Sequence, residues 1–183
     1  MTGRYNVISK RNAQNKRILM RVDFNVPMKD GKILDDTRIK RVIPGIKTLI
    51  ECSKQLILVT HLGRPKGNVD KTLSSQLLQE YLIELLSMRV RFIPHIEDPS
   101  QISEVIGSHE KICLLENCRF YAGEEKNDPE LARSYASLVD IYVNDAFSCS
   151  HRSHASIKAI TEFLPSYAGP VLATELKALS DTC

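Results

Sequence analysis

The strongest constraint on this chain's fold is an alternation. Short apolar runs are separated by longer stretches with helical spacing. The runs are Arg17–Val22 (RILMRV), Gln55–Thr60 (QLILVT), Val90–Ile93 (VRFI), Lys111–Leu115 (KICLL) and Val139–Val143 (VDIYV). They are rich in Ile, Val and Leu and do not alternate cleanly with polar residues, which suits strands covered on both faces. Between them, Thr37–Cys52 sets Ile39, Val42, Ile43, Ile46, Leu49 and Ile50 on one stripe. Leu73–Met88 does the same with Leu77, Leu78, Tyr81, Leu82, Leu85 and Leu86. Asp128-Pro129 predicts a third helix, with Asp as N-cap and Pro at the first helical position. Pro44 is expected to kink the first helix or mark a later start. Val171–Ser180 (VLATELKALS) reads as a final helix. Strand–helix alternation of this kind implies βαβ units. The expected class is α/β, with a doubly wound parallel sheet of about six strands, the sixth near the chain ends, and helices on both faces.

The 183 residues suffice for one substantial core. With 43% hydrophobic and 26% charged residues, the composition is that of a soluble globular domain rather than a disordered one. A net charge of +3 gives no argument for nucleic acid or a membrane as partner. The first residues hold no apolar core of a secretory signal, and the apolar runs fall far short of the ~20 residues that span a bilayer. The five cysteines (Cys52, Cys113, Cys118, Cys149, Cys183) are irregularly spaced and include no C-x-x-C. Reduced thiols in a cytoplasmic protein are therefore expected.

In open α/β sheets ligands bind beyond the carboxyl ends of the strands, and the unusual polar residues fall there. RILMRV leads into Asp23-Phe24-Asn25, and QLILVT into His61-Leu62-Gly63-Arg64-Pro65-Lys66-Gly67. KICLL leads into Glu116-Asn117-Cys118-Arg119, and VDIYV into Asn144-Asp145 and then His151-Arg152-Ser153-His154. Arg38 joins them at the start of the first helix. A single arginine after a strand is ordinarily a surface ion-pair partner; four loops delivering Asn, His or Arg to one edge imply an anion site. Arg brings a fixed charge and a planar fork that matches carboxylate and phosphate. Asp23 would repel phosphate and is expected to accept a ligand hydroxyl. The ligand so read is small, hydroxylated and carries more than one negative group.

Other chemistries lack their motifs. There is no G-x-x-x-x-G-K-[ST] phosphate cradle and no G-x-G-x-x-G after the first strand. Cys149, His151 and His154 form C-x-H-x-x-H without the further context a zinc site needs, so no metal is expected. Cys149 with its neighbouring histidines is only a weak signal of a nucleophile.

Five segments carry a family resemblance: RVDFNVP (Arg21–Pro27), THLGRPKG (Thr60–Gly67), LLENCRFYAGEEKND (Leu114–Asp128), VNDAFSCSHRSHAS (Val143–Ser156) and AGPVLATELKAL (Ala168–Leu179). In this order they resemble successive blocks of the phosphoglycerate kinases, from about Arg17 to Leu179. The resemblance implies a Rossmann-like amino-terminal domain, residues 1–170, that binds 3-phosphoglycerate or 1,3-bisphosphoglycerate. Residues 171–183 would begin the interdomain helix. Carried over position by position, it implies a substrate site of Asp23, Phe24, Asn25, Arg38, His61, Leu62, Gly63, Arg64, Arg119 and Arg152. Asp23 and Asn25 would meet the glycerate. Arg38, His61, Arg64, Arg119 and Arg152 would form a basic patch on phosphate and carboxylate, and Arg38 would also stabilise the phosphoryl group in flight. The sequence departs from the family at Cys118, at Cys149 with its flanking serines, and at Pro170.

In this family Mg-ATP or Mg-ADP binds a carboxyl-terminal domain, whose glycine-rich segment is not among these residues. The expectation is therefore a phosphotransferase of glycolysis as the parent enzyme, cytoplasmic and monomeric, with that second domain as its partner. This chain alone would bind no nucleotide and turn nothing over. The alternative is a stand-alone, non-catalytic module for an anion or a protein partner.

Overall fold

The computed structural model describes residues 5–182. In chain order it contains α1 (Lys10–Ala13), β1 (Arg17–Arg21), β2 (Met28–Lys29), β3 (Lys32–Ile33), α2 (Thr37–Cys52), β4 (Gln55–Val59), α3 (Gln79–Leu86) and β5 (Arg91–Ile93). There follow α4 (Pro99–Gly107), β6 (Ile112–Leu115), α5 (Pro129–Ala136), β7 (Ile141–Asn144), β8 (Ser166–Ala168) and α6 (Pro170–Asp181). Six strands form one parallel sheet in the order β5-β6-β4-β1-β7-β8, while β2 and β3 pair as a small antiparallel hairpin. The expected doubly wound sheet of about six strands is present, and its sixth strand is β8.

Side-chain alternation along buried strands divides the core into two layers. Ile18 and Met20 of β1, Leu56 and Leu58 of β4, Ile112 and Leu114 of β6, and Ile141 and Val143 of β7 face the layer shared with α2 and α3. Leu19, Ile57, Val59, Cys113, Leu115 and Tyr142 face the other, with Val105 of α4 and Leu131, Ala132 and Tyr135 of α5. Helices on both faces follow directly from strands apolar on both sides.

The long first helix forms as its stripe predicts, with Ile39, Val42, Ile43, Ile46, Leu49 and Ile50 all buried. Pro44 lies inside it and neither ends it nor delays its start. The second helical segment differs from expectation. Only Gln79–Leu86 is α-helix; Lys71–Leu73 and Ser75–Leu78 are 3-10 turns. Polar side chains capture the backbone here. Asp70 accepts from the Thr72 N–H, and the Glu116 carboxylate accepts from the Ser75 N–H and the Ser74 hydroxyl. Such local bonds compete with the helical ladder. Asp128 caps α5 through the Glu130 N–H, as the Asp-Pro pair predicts. The same device opens α4, where Asp98 accepts from the Ser100 N–H.

The sheet fixes where a ligand can sit. From β1 the chain moves to β4 on one side, and later from β7 to β8 on the other. β1 and β7 are neighbours, paired Ile18–Ile141 through Arg21–Asn144. Strand order reverses between them, and a crevice opens beyond their carboxyl ends.

Candidate anion site

A cavity of about 230 Å³ lies in that crevice, lined by Asp23, Asn25, Arg38, His61, Gly63, Arg64, Arg119, Ser148, Cys149 and Arg152. It is smaller than the usual range for drug-sized ligands, ~300–1,000 Å³. A larger cleft of about 640 Å³ adjoins it across Asn25 and Gly63, but its walls are largely apolar (Val26, Met28, Leu73, Leu77), with Lys71 its one cation. The cationic side chains therefore gather in the smaller cavity.

Each wall is held by a specific bond. Asn25 Oδ1 accepts from the Gly63 N–H at 3.0 Å, tying the loop after β1 to the loop after β4. Gly63 sits at φ +59°, and an added Cβ would approach Leu73 Cδ2 to 2.8 Å, so no other residue fits without strain. Arg119 lies in a 3-10 turn after β6, started by its own N–H donating to Asn117 Oδ1 at 3.0 Å. Its Nη1 donates to the Gly63 carbonyl at 3.0 Å, while its Nε, buried, has no partner among the described residues. A guanidinium only 4% exposed with donors to spare is what an entering oxyanion needs.

Arg38 projects from the first turn of α2. Its Nη1 donates to Asp23 Oδ2 and to the Asn25 carbonyl, each at 3.2 Å, and the Ser148 hydroxyl donates to the same Asp23 oxygen. Arg64 and Arg152 are exposed and enter no ion pair among the described residues. Four arginines thus face one carboxylate, which is already engaged by Arg38.

Other residues at the strand ends are placed differently from the arginines. His61 is 3% exposed, and its pKa is pushed down to about 2 by burial and by Arg21, Arg119, Arg152 and His154. Burial and the surrounding cations thus favour its neutral form. Phe24 and Leu62 bury their side chains in the core. The Phe24 N–H donates to Thr60 Oγ1 and its carbonyl accepts from Val26 N, so Phe24 braces the loop. Asn117 lies outside the cavity and joins loops, donating to the Leu62 and Leu73 carbonyls at 2.8 Å. Asp145 also turns away: its Oδ1 accepts from the Leu172 N–H at 3.0 Å, at the start of α6. His154 is buried and Cys149 lines the cavity, but no group of three metal-ligating side chains occurs among the described residues. Cys183 lies outside those residues.

Three contributors were not among the expected site residues. Ser148 and Cys149 line the cavity because a 3-10 turn at Phe147–Cys149 folds the chain after β7 back over Asp23. Arg21, fully buried at the end of β1, stands behind His61. A charge inside the apolar run RILMRV was the visible signal for it.

Residues 8–183 match the family model described as phosphoglycerate kinase. A phosphoglycerate kinase from Wolbachia sp. subsp. Drosophila simulans (strain wRi) is 52% identical over 167 residues, covering 90% of this chain and 42% of the relative. One from Thermosipho africanus is 49% identical over 168 residues, covering 91% and 42%. The structure of phosphoglycerate kinase from Coxiella burnetii superposes with a TM-score of 0.84 at 37% identity, covering 97% of this chain and 44% of that one. The Pyrococcus horikoshii enzyme superposes at 0.84 with 33% identity, covering 96% and 45%. The chain thus spans about 42% of the length of the curated relatives it matches.

Proposed function

This chain belongs to the phosphoglycerate kinase family, and we propose that it supplies that enzyme's acid-binding half, taking 3-phosphoglycerate or 1,3-bisphosphoglycerate at the arginine cavity. The observation that carries the reading is the set Arg38, Arg64, Arg119 and Arg152 converging on one small crevice at the strand-order reversal. Phosphate and carboxylate are the two anions such forks pair with. In this reading Arg119 and Arg64 hold one anionic end, and Asn25 and the Asp23 carboxylate orient the glycerate hydroxyl.

Phosphoryl transfer needs positioning and charge neutralisation more than covalent chemistry from the protein. Arg38 suits that role. It stands at the cavity mouth, and its described hydrogen bonds use Nη1 alone. The remaining donors can follow negative charge as it moves between oxygens. Mg-ADP or Mg-ATP would bind a carboxyl-terminal nucleotide domain in the whole enzyme, and these 183 residues hold no Walker-type glycine cradle for it.

The parent activity is reversible phosphoryl transfer between 1,3-bisphosphoglycerate and ADP, with a carboxylate as phosphoryl acceptor in the reverse direction. The 183 residues by themselves bind the acid and do not turn it over. A coupled assay with Mg-ATP and 3-phosphoglycerate, run beside calorimetric titration of the acid, tests this. Heat of binding without turnover is the expected pair, and measurable turnover or absent binding contradicts it.

A further inference from the structure

Arg21 is wholly buried at the end of β1, yet among the described residues no carboxylate touches it directly. Its Nε donates to Ser156 Oγ at 3.1 Å, its Nη1 to the Val22 carbonyl, and its Nη2 lies 2.9 Å from His61 Nδ1. Ser156 passes the connection on. Its hydroxyl donates to Glu124 Oε1, its N–H donates to Oε2 at 3.1 Å, and its carbonyl accepts from Tyr142 at 2.7 Å. Glu124 is fully buried and Cys118 is in the same layer. Burial pushes the Glu124 carboxyl up while Arg21 pulls it down. Accepting from Ser156 on both oxygens suits the ionised form.

A guanidinium has donors only. Nδ1 of His61 must therefore be the acceptor in the Arg21 contact, which leaves the ring proton on Nε2. That nitrogen is the ring donor left for the cavity His61 lines. The charged groups facing the ring are Arg21 from β1, Arg119 from the turn after β6 and Arg152 from the loop after β7, with His154 beside them. The cavity that the ring lines also holds Arg38, Arg64 and one carboxylate, Asp23, whose Oδ2 is already taken by Arg38 and Ser148, so the cations prevail against a second ring proton.

We propose that Arg21 is a positioning residue that fixes His61 as its Nε2–H tautomer, making His61 a neutral hydrogen-bond donor to the bound acid, with Ser156 and Glu124 holding Arg21 in register. The ligand part rests on the proposed function; the tautomer does not. The site then joins fixed guanidinium charges to one uncharged directional donor. Its donor set stays the same as the pH crosses the range where an ordinary imidazole, pKa about 6.5, would charge.

Nitrogen-15 NMR of the imidazoles in the free chain tests the tautomer. The expected result is an unprotonated Nδ1 and a protonated Nε2 for His61, unchanged from pH 8 to pH 5. A proton on Nδ1, or a midpoint near the ordinary value, overturns the proposal. Arg21→Met should mix the tautomers and let His61 titrate. Because that variant strands Glu124, Arg21→Met/Glu124→Gln provides the same readout in a charge-neutral network, and an unchanged His61 spectrum there also overturns it. In titrations with 3-phosphoglycerate, His61→Gln, which keeps a donor near Nε2, should bind within about threefold of the parent. His61→Leu should lose about tenfold, and equal affinity for the Leu variant refutes the donor role. The expected tautomer with no 3-phosphoglycerate binding would contradict the substrate reading while supporting the positioning.

Discussion

Arg38 Nη1 rests 3.2 Å from Asp23 Oδ2, so the arginine proposed to follow the moving charge is parked on a carboxylate in the free chain. The contact joins the first turn of α2 to the loop after β1. The Arg38 side chain is 55% exposed, and pairs of that kind contribute only ~0–1 kcal/mol. The contact therefore orients Arg38 without trapping it, and an entering phosphate can compete for the fork.

Arg38→Ala should weaken 3-phosphoglycerate binding by about 1.5–3 kcal/mol, the usual contribution of a charge-assisted hydrogen bond. Arg38→Lys should fall between the variant and the parent, since a lysine keeps the charge but cannot span Asp23 and a ligand with one planar fork. Calorimetric titration of both variants decides the point. Lys binding as well as Arg would mean that charge alone matters.

Affinity should fall steeply with added salt, because exposed Arg64 and Arg152 act through a screened field with a Debye length of about 10 Å at 0.1 M. Repeating the titration from low to physiological ionic strength measures it. A salt-independent constant would assign binding to the buried Arg119 alone.

His61 predicts acid sensitivity of the fold. Its folded pKa of about 2 lies below the unfolded value of 6.5, so below pH 6.5 the unfolded chain binds a proton that the native chain does not. Stability then rises with pH across that window and is lost as pH falls, by up to about 1.4 kcal/mol per pH unit from this one group. Urea unfolding between pH 7 and pH 5 should show the loss, and His61→Gln should flatten it. An equal slope in the variant would place the acid sensitivity in other groups.

The junction of β7 and α6 depends on a close approach. The N-cap residue of α6, Gly169, has no side chain to offer, and Asp145 supplies the acceptor for the Leu172 N–H instead. A Cβ on Gly169 would stand 2.4 Å from Asp145 Oδ1, so Gly169→Ala should destabilise the chain by about 1–3 kcal/mol. Burial raises the Asp145 pKa to about 6, against the pull of the Leu172 and Val171 amides. The native chain thus holds a proton there that the unfolded chain releases above pH 3.8, and this contribution declines as pH rises through 6. Asp145→Asn keeps the acceptor and removes that dependence, whereas Asp145→Ala should cost about 0.5–2 kcal/mol. Thermal unfolding of the three variants at pH 5 and pH 7 checks the order.

What the sequence made legible was the arrangement that repetition encodes. Apolar runs marked five of the six sheet strands, and the stripe of Thr37–Cys52 matched α2 residue for residue. β8 is three residues long, and Ser166 and Tyr167 are only half-buried, so it gives no apolar run. The 3-10 turn at Ser75–Leu78 is held by Glu116, far away in sequence, which periodicity cannot register. Within the site, residues after strands could be placed at the edge, and Arg38, Arg64, Arg119 and Arg152 do share a cavity. Whether a side chain faces that cavity or braces it depends on tertiary partners. Asn117 and Asn144 illustrate this, one bridging two loop carbonyls and the other accepting from the Ala146 N–H. His61 could be placed in sequence, but its charge state required knowing that a buried arginine stood behind it.

The central claim is that the arginine cavity holds a small phosphorylated acid. A dissociation constant on the order of 0.1–1 mM is expected, because charge-assisted bonds of ~1.5–3 kcal/mol each are largely offset by the cost of association. Amide NMR titration with 3-phosphoglycerate measures this directly. The account predicts saturable shifts at Gly63, Arg64 and Arg119 in that range, lost in Arg38→Ala and Arg64→Ala. Shifts elsewhere on the chain, or an affinity that both substitutions leave untouched, would contradict it.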